Sequence, residues 1–152
     1  MADPINVTTC HCKFCQRATG SAYMVEPIFR FADFRVTKGS LKTYEHKSEG
    51  SGKVISIHFC GVCGTKLFLS FERFSERYGV FAGTFDDPNW FVIDTDNSKH
   101  IFVDVARHET ILPAGIAVFG EHAQLNDGTP LDPVVLAQPS MIGIIRDRPA
   151  SA

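Results

Sequence analysis

The chain has 152 residues, enough for one domain with a core of its own. Its 15 basic and 17 acidic residues interleave and leave a formal charge of -2, so neither a phosphate backbone nor a membrane surface is expected as partner: no nucleic acid, no membrane. The longest apolar stretch, Ile111 to Gly120, is broken by Pro113 and Gly115 and falls far short of the roughly 20 residues of a membrane span. Met1-Ala2-Asp3-Pro4 does not read as a secretory signal, and the expected location is the cytoplasm, where thiols stay reduced.

From the N-terminus, the first element reads as a strand that turns Cys10 and Cys12 to one face, since residues i and i+2 of a strand project alike. A turn then delivers Cys15, and one helical turn ends at Gly20. Aromatic and β-branched runs bounded by turn residues predict short strands at Met24 to Phe31, Lys42 to Tyr44, Lys53 to Phe59, Lys66 to Phe71 and Tyr78 to Ala82. The polar, glycine-rich stretch from Glu45 to Gly52 suits a hairpin loop or a mobile flap. No helical period extends over three turns.

Beyond Gly120, Pro130, Pro133, Pro139 and Pro149 interrupt two apolar patches, Val134 to Leu136 and Met141 to Ile145. This predicts an irregular tail that packs on the body or on a second copy in a homodimer, with its last residues disordered. The expected fold class is all-β: short antiparallel strands over residues 1–120, with residues 121–152 an irregular extension of the same domain.

All five cysteines fall in two clusters, Cys10-His11-Cys12-Lys13-Phe14-Cys15 and Cys60-Gly61-Val62-Cys63-Gly64. Zinc takes four ligands at tetrahedral corners, and a C-x-x-C turn brings two sulfurs onto one ion. Three readings share these thiols. Cys10, Cys12 and Cys15 form an open three-ligand site, with Cys60 and Cys63 on a second zinc. Alternatively Cys12, Cys15, Cys60 and Cys63 close around one ion and Cys10 is spare, or a C-x-x-C pair does redox chemistry. Lys13 and Arg17 could offset the net negative charge of a zinc held by three thiolates.

The strings Cys10-His11-Cys12-Lys13-Phe14-Cys15-Gln16-Arg17-Ala18-Thr19-Gly20-Ser21-Ala22-Tyr23 and His58-Phe59-Cys60-Gly61-Val62-Cys63-Gly64-Thr65-Lys66-Leu67-Phe68 resemble the glutathione-dependent formaldehyde-activating enzyme family, which includes centromere protein V. Weaker agreement continues through Gly83 to Pro88 and Lys99 to Val103, so the resemblance covers roughly residues 5 to 105. It implies a zinc-binding, Mss4-like β-tent fold and a carbon-sulfur lyase that joins formaldehyde and glutathione into S-hydroxymethylglutathione. It also implies a catalytic zinc on Cys10, Cys12 and Cys15, and a structural zinc on Cys60 and Cys63 together with an earlier C-x-C. The nine residues before Cys10 contain no cysteine, which leaves Cys60 and Cys63 as free thiols, as ligands completed by water or His58, or as partners of the N-terminal thiols on one ion.

Lewis acidity at an open site would ionise the thiol of glutathione or polarise an aldehyde, and a proton donor is still required. His58, which shares strand parity with Cys60, is the candidate for it, set against a partly exposed strand histidine. Arg17 and Lys66 are candidates to hold glutathione carboxylates, set against plain surface solvation. His11 is expected to point away from the cysteines, solvated or bonded to backbone; His100, ahead of an apolar strand, reads as a hydrogen-bonded structural histidine, set against one that faces the pocket. The rival to a lyase is a non-enzymatic zinc module that binds a protein partner.

Overall fold

A computed structural model describes residues 2–145. The chain gathers into two compact units: residues up to Val7 with Glu26–Val92, and Thr8–Val25 with the chain from Ile93 onward. Strands β1 (Asn6–Cys10) and β2 (Met24–Arg30) each begin in one unit and end in the other. The class is all-β, as the run of short aromatic and β-branched segments predicts.

The first unit is an antiparallel sheet in the order β2, β6 (Arg77–Val80), β5 (Lys66–Phe71), β4 (Val54–Cys60), β3 (Leu41–Lys47). The β3–β4 hairpin is longer than its sequence suggests, running in register from Leu41 opposite Cys60 to Lys47 opposite Val54. Glu45, His46 and Lys47 belong to the strand, and the turn contracts to the residues around Gly50 and Gly52. β3 is the outermost strand of this sheet, and polar side chains there cost little while they discourage pairing with another chain. Between His58 and Phe59 the β4–β5 register shifts, with His58 opposite Phe68 and Phe59 opposite Lys66, so Leu67 is the extra residue of a bulge.

Phe29, Phe68 and Val80 form the buried centre of this unit, flanked by Phe34, Leu41, Leu67, Tyr78, Phe85 and Trp90. The thirteen phenylalanines do not all share that role, and Phe31 is 60% exposed. On β6, Gly79 leaves no room for a side chain: a Cβ there would stand 2.7 Å from Oε2 of the buried Glu26 and 3.1 Å from Cζ of Phe71. Gly79→Ala is therefore expected to destabilise the fold by about 1–3 kcal/mol, read as a lower urea midpoint at unchanged slope. A midpoint equal to wild type would mean that Glu26 swings aside freely.

In the second unit, helix α1 (Lys13–Thr19) follows β1, and β7 (Ser98–Ile101) pairs in parallel with β9 (Ala117–Val118), placing His100 opposite Val118. β10 (Val134–Val135) pairs with β9, and β11 (Ser140–Met141) with β8 (Ile111–Leu112). A short α2 (Ile142–Ile145) closes the described chain and puts Ile142 among Ala106, Leu112 and Val118. The tail thus docks through two-residue strands and one buried isoleucine. The disorder expected of the last residues falls outside the described ones. Among the described residues no helix is long and apolar enough to cross a membrane.

Candidate metal centre

The first cysteine cluster is built by a strand end and a helix start. β1 stops at Cys10, short of the strand through Cys12 that the i, i+2 spacing predicts. Cys12 instead takes the N-cap position of α1, with extended angles (φ -63, ψ 156), and its Sγ accepts the Cys15 N–H at 3.3 Å. A cap side chain must accept a free N–H of the first helical turn, a place usually held by Ser, Thr, Asp or Asn, and the sulfur does so here. The helix includes Cys15 rather than following it, and it ends where expected, on left-handed Gly20 (φ 68), whose N–H donates to the Gln16 carbonyl at 2.8 Å.

Capping and strand end together bring the sulfurs of Cys10, Cys12 and Cys15 within 4.8 Å of one another, Cys10 and Cys15 buried and Cys12 half-buried. Sulfurs at tetrahedral corners around zinc, at a Zn–S length of about 2.3 Å, stand roughly 3.8 Å apart, so the cluster is within about an ångström of ligating spacing. Its electrostatics fit a cation as well. Thiols of Cys10 and Cys15, then the backbone N–H groups of Cys15 and Phe14, pull the Cys12 thiol from its ordinary 9.0 down to about 3, against the opposing effect of burial. Thiolate is the form that binds a metal. The cluster could hold a metal ion.

His11 overturns the expectation of a solvated ring. Its side chain is 0% exposed, with Nε2 at 3.0 Å from His100 Nδ1 and the two rings stacked, centroids 5.3 Å apart. Tyr23 lies on it with centroids 5.2 Å apart. Burial first, and His100 second, lower the His11 pKa to about 4, and burial lowers that of His100. One imidazole N–H is thus shared between two neutral rings. Gln16, which no sequence signal singles out, donates from Nε2 to the His11 carbonyl at 2.6 Å and to the Val105 carbonyl at 3.0 Å.

Of the other candidates, Arg17 lies two residues beyond Cys15 and the rest belong to the first unit. Arg17 is exposed on α1. Lys66, half-buried, opens β5 in the first unit. His58 sits on β4 with Nδ1 at 3.2 Å from Thr43 Oγ1, Nε2 at 2.8 Å from Ser70 Oγ, and its ring stacked 4.4 Å from that of Phe68. Burial lowers its pKa. Cys60 ends β4, and the turn beyond it has the anticipated left-handed glycine, Gly64 (φ 77), its N–H donating to the Cys60 carbonyl at 2.9 Å. Cys63 is exposed with Sγ 3.1 Å from Thr65 Oγ1, and that hydroxyl, the Thr65 backbone and the Cys60 thiol lower its pKa to about 7. Among the described residues, the group gathered closely enough to hold a metal ion is Cys10, Cys12 and Cys15.

An all-β protein with a three-thiol cluster at a strand–helix junction, able to take a metal ion, is what these elements define. The profile of the glutathione-dependent formaldehyde-activating enzyme family matches residues 1–104, more than half of the chain, and the chain belongs to that family. Among solved structures, a crystal structure of a Rhodobacter sphaeroides protein, a structural-genomics target, is similar at 24% identity and a TM-score of 0.42, over 53% of this chain and 69% of that one. No curated protein matches it.

Proposed function

We propose that this chain is a zinc-dependent carbon–sulfur lyase of the S-(hydroxymethyl)glutathione synthase type, joining a small thiol such as glutathione to formaldehyde or a similar small electrophile. The observation that carries the reading is the gathered cluster of three thiols, Cys10, Cys12 and Cys15, in a member of the formaldehyde-activating family. Three protein ligands rather than four are the donor set of a zinc site with room for a further group. Zinc bound there supplies Lewis acidity.

The rest falls to the chain. Cys10, Cys12 and Cys15 hold the ion; the Cys10 and Cys15 thiols keep the Cys12 sulfur ionised, and the Cys15 N–H helps to hold it in place. Arg17, exposed two residues beyond Cys15, supplies a charge-assisted hydrogen bond to a carboxylate of the thiol substrate. In the reaction the thiol sulfur bonds to the carbonyl carbon while the C=O π bond opens, and the thiol's proton ends on the former carbonyl oxygen. Positioning two small reactants side by side is the principal service such a site performs.

Exchange NMR with labelled formaldehyde and glutathione tests this directly. The zinc-loaded chain should speed formation and breakdown of the adduct well above the spontaneous rate, and the chelator-treated chain should not. Equal rates with and without the loaded chain would sink the lyase reading.

A further inference from the structure

His11 lies between two of the three cluster cysteines in sequence, and every polar handle of its main chain is taken. Its N–H donates to the Ile101 carbonyl at 3.0 Å, and its carbonyl accepts the Gln16 amide at 2.6 Å. The ring is tied to His100 at 3.0 Å, on β7. Gln16 itself reaches on to the Val105 carbonyl. The link between Cys10 and Cys12 is therefore held on three sides by residues 100–105 and by the helix that carries Cys15.

Holding it this way is costly. Two imidazoles are taken out of water for one mutual hydrogen bond, and among the described residues Nδ1 of His11 is buried with no hydrogen-bond partner at all. A site selected for stability alone would be filled with apolar side chains, as the nearby cluster of Ala106, Leu112, Val118 and Ile142 is. A polar pair at this spot imposes direction, which packing alone does not.

We propose that the His11–His100 pair is a positioning device for the metal centre, holding the backbone between Cys10 and Cys12 so that the three sulfurs are gathered before the ion arrives. The inference rests on the reading that these cysteines take zinc. Neither imidazole is assigned as a ligand or as a catalytic residue. The gain is preorganisation: the entropy of bringing three thiols together is lost on folding rather than on binding.

The test is zinc affinity of the full chain, by competition with a chromophoric chelator, together with the ligand-field absorption of the cobalt-loaded form. His100→Phe keeps the ring's bulk and its stacking on His11 while removing the hydrogen bond, and it lies far from every cysteine in sequence. It should lower zinc affinity by about 10-fold, the lower end of what supporting partners of metal ligands contribute, with the far-UV circular dichroism of the metal-free chain unchanged. The cobalt bands should shift or weaken, a change that loss of stability elsewhere would not produce. His11→Phe should do the same, and the double variant should lose no more than either single one, because both break one link.

A folded H100F chain that binds zinc as wild type does, with unaltered cobalt bands, overturns the proposal. If H100F does not fold without metal, H11F decides by the same readings, and if neither folds the pair is a core element and the proposal also falls. A wild-type chain that takes up neither zinc nor cobalt is a different result, which sinks the zinc reading beneath it.

Discussion

Cys12→Ser is expected to lower zinc affinity by at least about 100-fold, more than the loss of a supporting residue brings, and to abolish the adduct-forming activity with it. Cys12 is the sulfur on which the others converge. It accepts the Cys15 N–H at 3.3 Å, and the neighbouring thiols and backbone N–H groups hold its pKa at about 3. At neutral pH it is therefore an anion waiting for a cation. A serine hydroxyl there stays protonated and offers no anionic ligand. Serine is nonetheless a good N-cap, so α1 should survive the exchange, and circular dichroism of the variant should match wild type. Metal analysis after dialysis, beside chelator competition, reads the result. In the zinc-free wild type part of the ultraviolet absorption of thiolate should also persist towards pH 3, below the fall that Cys63 gives near 7, and that persistent part should be lost in C12S. Wild-type zinc content in a folded C12S chain would remove this cluster as the place of the metal.

The three cysteines were legible in the sequence because ligation chemistry depends on residue type and close spacing, and both are local. The route that brings them together was not. Strand parity placed Cys10 and Cys12 on one face of a strand, whereas the chain leaves β1 at Cys10 and Cys12 caps a helix. Cap signals are read from Ser, Thr, Asp and Asn, so a capping cysteine passes unnoticed, while the left-handed glycine that ends the same helix was visible.

His11 shows a different limit. A residue between two inward ligands reads as outward, and in an isolated strand it would be solvated. Here its ring meets His100 and Tyr23, and the first of these lies 89 residues away. No periodicity within a short window carries that information. The β3–β4 hairpin fails for the same reason in reverse: Glu45-His46-Lys47 looks like loop by composition, but pairing with Val54 to Ser56 extends the ladder through it. Strand β5, from Lys66 to Phe71, coincides with its predicted bounds because burial, β-propensity and turn residues agree there.

Leu112→Ala tests how far the stability of the second unit would depend on a metal ion held by the cysteine cluster. Leu112 is 0% exposed and sits at the centre of a small cluster with Ala106, Val118 and Ile142, reached from β8, β9 and α2. Leu112 is fully enclosed, with Val103 and Leu136 also packed on the cluster, so removal of its side-chain carbons leaves a buried cavity and the loss should be about 3–5 kcal/mol, the upper part of the range for a buried leucine. Against a typical total of roughly 5–15 kcal/mol, that brings the metal-free chain near its unfolding threshold. Zinc bound by the folded cluster acts in the opposite direction. At a free concentration about 1,000 times its dissociation constant it restores about 4 kcal/mol, provided the unfolded chain binds it weakly. The variant should therefore unfold at a much lower urea concentration than wild type when a chelator is present, and recover most of the difference when zinc is supplied. A metal-free loss under about 1 kcal/mol would show that the cluster repacks around the cavity. Full loss without recovery by zinc would mean that the cysteines do not couple to the fold of the unit that carries them.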